Sequence, residues 1–335
     1  MNDYQNALRG KLRRRSWVVL VTMLCGPVTG ARGQSAIDRL DLDRISARII
    51  HVTASPDFLC TSGDDAWFID NGNSGIEKIS ASADTPVLKI FVKDACGAPV
   101  SGFGALWVIS CSERCLYKLQ ENTGQLLAKI PTGLSDVSGE TSLAAGGGSV
   151  WILSDSAGVL SRINPGTNRV EARIKVSPGS AALCVGFGAI WVSDRVHNQV
   201  QRVDLKSNLL TGSIAVGKNP RFLAAGEGAV WTLDQGAGTV TRIDPGTRQV
   251  TATIDVQAPG GGGDIAAGGG RIWVVSTNPS RPLQCIDPRL NRVTRIYASQ
   301  GSQGPQARTD GAVRSSSNYI WISNLYLKTV WAIPK

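Results

Sequence analysis

Between Phe222 and Val256 the chain falls into four short runs, and none has a helical period. Phe222 to Ala225 is a small-residue run closed by Gly226-Glu227-Gly228, and Ala229 to Leu233 is β-branched and aromatic. Thr239 to Ile243 alternates apolar and polar positions and stops at Asp244-Pro245-Gly246-Thr247. Val250 to Val256 alternates again before a glycine run that begins at Gly260. Period-two runs bounded by Gly, Pro and Asp are strands joined by tight turns. The pattern predicts a four-stranded antiparallel meander.

The same pattern recurs along the chain. Aligned on one tryptophan, the copies centre on Trp67, Trp107, Trp151, Trp191, Trp231, Trp273 and Trp321, spaced by 40, 44, 40, 40, 42 and 48 residues. Each carries a form of Gly-x-Gly-Ala-apolar-Trp, a polar turn, and then Val-x-Arg-Ile-Asp-Pro. A fixed period of this size marks stacked units, none of which can bury its apolar face alone. Seven repeats of four strands predict an all-β fold, a seven-bladed β-propeller of four-stranded antiparallel blades. The last repeat stops after three strands, and Ala47 to Val52 aligns with the outer strand Ala252 to Val256. Residues 45–54 are therefore expected to complete the last blade, closing the ring with the N-terminal strand.

Residues 1–33 read as an export signal: Arg13-Arg14-Arg15, an apolar stretch from Trp17 to Leu24, and Ala31-Arg32-Gly33 before Gln34. The apolar stretch is shorter than the roughly 20 residues a membrane span needs. Both Sec and twin-arginine export fit the leader. Residues 34–335 then form one propeller domain, expected in the periplasm or secreted. The formal charge of +9 shrinks once the leader is set aside, because residues 1–33 hold six Lys or Arg and one Asp. No basic stripe recommends nucleic acid as a partner. A monomer is expected.

Six cysteines follow the leader: Cys60, Cys96, Cys111, Cys115, Cys184 and Cys285. Cys111 and Cys115 flank a hairpin turn and are expected to be joined. Cys60 and Cys184 stand seven residues before their tryptophans, where other blades have Ala144, Ala224 and Ala266. They read as small buried residues on opposite sides of the axis, and so unpaired with each other. No Cys or His spacing suits a structural metal.

In a propeller the turns between second and third strands, and the links between blades, open on one face. Three residues past the tryptophans stand Asp70, Asp194 and Asp234, and at the starts of inner strands stand Asp57, Glu140, Arg221, Asp264 and Asp310. His197 sits at a turn tip of that face. Asp57, Asp70, Asp194, Arg221, Asp234 and Asp264 are the candidate ligand-binding residues, and His197 is the candidate base. Asp194 and Asp234 have a simpler role open to them, since aspartates at strand ends cap turns with their own carboxylates.

The repeats Gly-x-Gly-Ala-Val-Trp-Val, Val-x-Arg-Ile-Asp-Pro-x-Thr and Ile214-Ala215-Val216-Gly217-Lys218-Asn219-Pro220 resemble the YVTN and streptogramin-lyase-like propellers of bacterial exported proteins. The resemblance spans nearly the whole chain after the leader. In lyases of that family a histidine base and glutamates holding Mg²⁺ open the lactone of streptogramin B antibiotics by β-elimination, with more than one histidine at the site. Where those enzymes show Trp-Phe-Thr-Glu, this chain has Trp-Val-Ser-Asp ending at Asp194 and Trp-Thr-Leu-Asp ending at Asp234. Only His197 lies near the expected mouth. The reading is therefore an exported scaffold that binds a small molecule or a protein. The alternative is a Mg²⁺-dependent carbon–oxygen lyase built on Asp194, His197 and Asp234, and Mg²⁺ enters only with that alternative.

Overall fold

The computed structural model describes residues 36–41, 45, 47–53, 55–70, 75–133, 142–154, 157–298 and 310–335. They form seven antiparallel four-stranded sheets, one per repeat, and the sixth gains a fifth strand. There is no helix among the described residues, so none is long and apolar enough to cross a membrane. The inner strands are Pro56–Ser62, Ala95–Gly102, Ser142–Gly146, Ser180–Gly186, Pro220–Gly226, Asp264–Gly268 and Val313–Ser315, for blades 1 to 7. The upper face is the one on which inner strands begin. The expected all-β propeller is the observed fold.

The two glycines of the repeated motif do different jobs. In blade 4 the second, Gly188 (φ +72°), follows Phe187 (φ +54°) in a two-residue hairpin closed by the Gly186–Ala189 pair. Positive φ at both central residues is the backbone of a type I′ turn, whose twist matches that of the strands. The first glycine serves packing, because a Cβ on Gly186 would lie 2.5 Å from the Cβ of Ala225 in blade 5. Behind the turn the tryptophans are enclosed: six are 0 % exposed and Trp273 is 6 % exposed. Apolar clusters lie between blades rather than within them, as where Trp231 and Leu233 of blade 5 meet Ile265 and Val274 of blade 6. In blades 1 to 5 a cation from the third strand covers the indole: Lys78, Lys118, Arg162, Arg202 and Arg242, at 5.2–5.9 Å.

The ring closes as its ends imply. Arg48–His51 pairs antiparallel with Thr329–Pro334 as the outer strand of blade 7, with Ile50 opposite Val330. A second N-terminal strand, Asp38–Asp41, was not foreseen. It runs parallel to the outer strand of blade 6, with Leu40 opposite Tyr297, and so covers that edge. Leu40, Ile45 and Ala47 pack on the cluster shared by blades 6 and 7. Residues 1–33, expected to be an export leader, lie outside the described residues.

The cysteine pairing corrects the sequence reading. Cys111 is joined to Cys96, not to Cys115, with Cα atoms 5.9 Å apart. Cys111 continues the ladder toward the inner strand, its N–H donating to the carbonyl of Asp94 at 3.0 Å. Cys115 opens the third strand opposite Ser110 and stays buried and free. Flanking the turn placed Cys111 and Cys115 close in sequence, but the ladder turns Cys111 toward the other neighbour. Cys60 and Cys184 are unjoined, as expected.

Candidate functional site

Three of the predicted binding residues come together and three do not. Asp57 of blade 1, Arg221 of blade 5 and Asp264 of blade 6 line one hollow of about 120 Å³ where the inner strands begin. Phe58 and Phe222 supply apolar wall beside them. Burial pushes the Asp57 carboxyl up to about 6, repulsion from Asp310 and Asp264 adds to it, and Arg221 opposes it. Desolvation in turn lowers Arg221, while Asp310 and Asp57 hold it up. Its guanidinium lies 5.3 Å from the Phe222 ring centre. The group is thus mixed in sign and largely withdrawn from water.

Asp264 is 4 % exposed and fully engaged. It accepts from the N–H of Ile265 at 2.8 Å, from the N–H of Val313 at 3.1 Å, and from the guanidinium of Arg314. Burial still raises its carboxyl, with Arg314 drawing it down. The glycine run beside it makes the site possible. Gly262 (φ +87°) and Gly263 (φ +83°) adopt backbone that disfavours side chains, and a Cβ on Gly262 would meet the Asp310 carboxylate at 2.6 Å. The N–H of Gly263 donates to that carboxylate at 3.0 Å.

Asp70, Asp194 and Asp234 share one register and end their strands, but each is used inside its own blade. Asp70, 1 % exposed, accepts from Lys89 Nζ at 3.1 Å, and the same ammonium binds Glu77 at 2.7 Å. Asp234, fully buried, accepts from the hydroxyls of Thr241 at 2.5 Å and Thr239 at 3.2 Å. Burial pushes it up to about 6 against those bonds. Asp194 caps its turn, accepting from the N–H groups of Val196 at 3.2 Å and His197 at 3.1 Å. Burial raises it, yet bonds from Gln199, Ser177 and His197 prevail and leave it low. The Asp194 carboxylate is 2.8 Å from His197 Nδ1. An ionised carboxylate only accepts, so Nδ1 carries hydrogen, and in the neutral ring Nε2 is the acceptor. The imidazole is 58 % exposed. It has no hydrogen bond or ion pair to the channel group among the described residues.

Arg314 was missed by the sequence reading, although a signal was present. It stands seven residues before Trp321, in the register of Cys60 and Cys184, where small residues are the rule. Glu140, another expected carboxylate, lies outside the described residues.

No family model matches the sequence, and no curated relative does. Solved structures do. A streptogramin B lyase superposes at a TM-score of 0.70, with 15 % identity over 85 % of this chain and 96 % of that one. A catalytically inactive virginiamycin B lyase variant from Staphylococcus aureus, solved with quinupristin, gives 0.71 at 13 % identity over 87 % and 99 %. The chain has the virginiamycin B lyase-like propeller fold. Moraxella catarrhalis BamB is a more distant likeness, at a TM-score of 0.57 and 12 % identity over 85 % of this chain and 83 % of that one. At such identities the lyase-like likeness carries the fold and not the chemistry.

The lyase alternative would need a seat for Mg²⁺. Among the described residues no three His, Cys, Asp or Glu side chains converge on a metal position. Asp264 is committed to a guanidinium and two backbone N–H groups, and Asp194 to its turn and His197, while Asp234 accepts two hydroxyls on Oδ2 and keeps Oδ1 buried without a hydrogen-bond partner among the described residues. Carboxylates that do not converge do not fit a hard cation, which takes several oxygen ligands around one point.

Proposed function

We propose that the protein is an exported binding propeller that seats a polar group at the upper channel mouth. That group is carried by a small molecule or projects from a protein surface. The observation that carries this reading is the hollow shared by Asp57, Arg221 and Asp264, where desolvated charges of both signs from blades 1, 5 and 6 face one cavity. A concave site with a few convergent polar groups is where a ligand gains most from leaving water. Export agrees with the leader and with the Cys96–Cys111 disulfide, which suits an oxidising compartment such as the periplasm or the extracellular space. The proposed protein is a monomer with no nucleic-acid partner.

The test is a thermal-shift screen of charged small molecules against wild type, Asp57→Asn, Arg221→Met and His197→Ala. Ligands that stabilise wild type and His197→Ala, but lose their effect in both mouth variants, support the reading. Hits indifferent to the mouth variants count against it.

One observation favours the second reading, a carbon–oxygen lyase: Asp194 orients the His197 imidazole as a base partner would. A cyclic depsipeptide lactone incubated with Mg²⁺ decides between them. Turnover by wild type that vanishes in His197→Ala would overturn the scaffold. The expected result is no turnover by either. His197→Ala is also expected to change stability by no more than about 0.5 kcal/mol, as for other surface substitutions.

A further inference from the structure

Below the mouth the channel changes character. Arg314, Leu143, Leu183 and Leu223 line both a narrow middle hollow of about 60 Å³ and a lower cavity of about 340 Å³. In the register seven residues before the tryptophans, six blades present Val100, Ala144, Ala224, Ala266, Cys60 and Cys184 to the lower cavity. Blade 7 presents Arg314 instead. Burial pushes both thiols up to about 12, so they are uncharged at neutral pH. Among the described residues Arg314 is therefore the one charged side chain lining the lower cavity.

Its anchorage is one-sided. Nη1 donates to Asp264 and, at 2.7 Å, to the carbonyl of Val313. Asp264 lines the mouth and the middle hollow but not the lower cavity. Among the described residues Nε and Nη2 donate to nothing, while the charge acts on Cys60, which does line the lower cavity. A guanidinium has five N–H donors, so one carboxylate and one carbonyl leave most of its fork unused.

We propose that the lower channel binds a small organic carboxylate. Its anionic head pairs with the free side of Arg314, and its apolar body lies on the Val100, Ala144, Ala224 and Ala266 wall. The alternatives each leave something unmatched. A cation meets the guanidinium with like charge. A neutral apolar molecule leaves the guanidinium donors without acceptors. An inorganic anion leaves the apolar wall uncovered. The cavity's size is in the range of small-molecule sites. This site is separate from the mouth and stands without the proposal made for it.

Benzoate is the probe, compared by calorimetric titration with benzylamine, benzyl alcohol and sulfate. Saturable one-to-one binding of benzoate is expected, with the three comparison compounds at least about tenfold weaker. Arg314→Met strands the buried Asp264 carboxylate and can unfold the chain, so the double variant Arg314→Met/Asp264→Asn is measured beside it. Ala224→Leu narrows the cavity without touching any charge. Benzoate affinity is expected to fall about tenfold or more in the double variant and in Ala224→Leu, each checked for a wild-type circular dichroism spectrum. Absence of benzoate binding to wild type overturns the proposal. So does binding that survives both variants, and so does sulfate bound as tightly as benzoate.

Discussion

Blades 4 and 1 carry the same tryptophan in the same place, Trp191 and Trp67, and meet the next blade differently. In blade 4 the indole N–H donates to the carbonyl of Gly186 at 3.1 Å, and that glycine lies against Ala225 with no room for another carbon. Gly102, Gly146, Gly226 and Gly268 repeat both features in blades 2, 3, 5 and 6. Blades 1 and 7 have serine there, and the indole N–H groups of Trp67 and Trp321 are buried with no partner among the described residues. Hydroxyls make the contact instead. Ser62 donates to Glu121 of blade 2 at 2.8 Å, and Ser316 donates to Asp64 of blade 1 at 3.0 Å. Five junctions are therefore set by van der Waals contact, which fixes a spacing to a few tenths of an ångström. The two junctions on either side of blade 1 are set by hydrogen bonds to acidic side chains with rotatable arms. A closed ring accumulates the small errors of every junction, and one of the adaptable ones, between blades 7 and 1, is where the ring meets itself.

The largest expected effect comes from removing what supports the adaptable side. Without residues 34–54, blades 6 and 7 lose the strands that cover their outer edges, and the cooperative melt seen by circular dichroism should disappear. A truncated protein that melted as sharply as the intact one, and stayed monomeric on gel filtration, would break the closure model. Next, Gly186→Ala adds one methyl to a dry junction where φ is not at issue, and should cost about 1–3 kcal/mol in urea unfolding. A neutral result would mean that the junction can open.

Acid should separate the two kinds of junction. Bonds from the backbone and side chain of Asn318, with Ser316 assisting, hold the Asp64 carboxyl below its ordinary range. Its folded value is lower than its unfolded one. The stability it contributes is therefore complete above the unfolded value and is lost as pH falls through the lowered folded value. Asp64→Asn should be less stable than wild type at neutral pH, and the gap should close in acid. The Gly186→Ala penalty should not change over the same range. The smallest effect is expected from Ser62→Ala, about 1 kcal/mol or less, because Ser101 still donates to Glu121.

Blade number, strand order and ring closure were legible because each rests on periodicity, which packing enforces in every copy. The carboxylate register was legible as a register only. Asp70, Asp194 and Asp234 end equivalent strands, but a strand's last side chain can turn into its own blade, and there Lys89, Gln199 and Thr241 claim them. Nothing local in the sequence says which way such a residue points. The disulfide failed for the same reason: proximity along the chain was read in place of the ladder that sets direction. Arg314 was hidden by the degenerate seventh repeat, whose inner strand is only Val313–Ser315. Asp38–Asp41 is too short to carry a pattern, and its parallel pairing gives no hairpin signal.

The pairing of Ile50 with Val330 also orders events in time. Every other strand next to it in its blade comes from nearby sequence, so blades 1 to 5 can form one by one as a ribosome delivers them. Arg48–His51 is among the first described segments to be made, yet its partner, Thr329–Pro334, is the last. Through most of synthesis that early strand has an unmatched row of N–H and C=O groups and the apolar Ile49 and Ile50. The nascent chain is an open arc holding its own clasp, and it becomes a ring only when the final strand arrives.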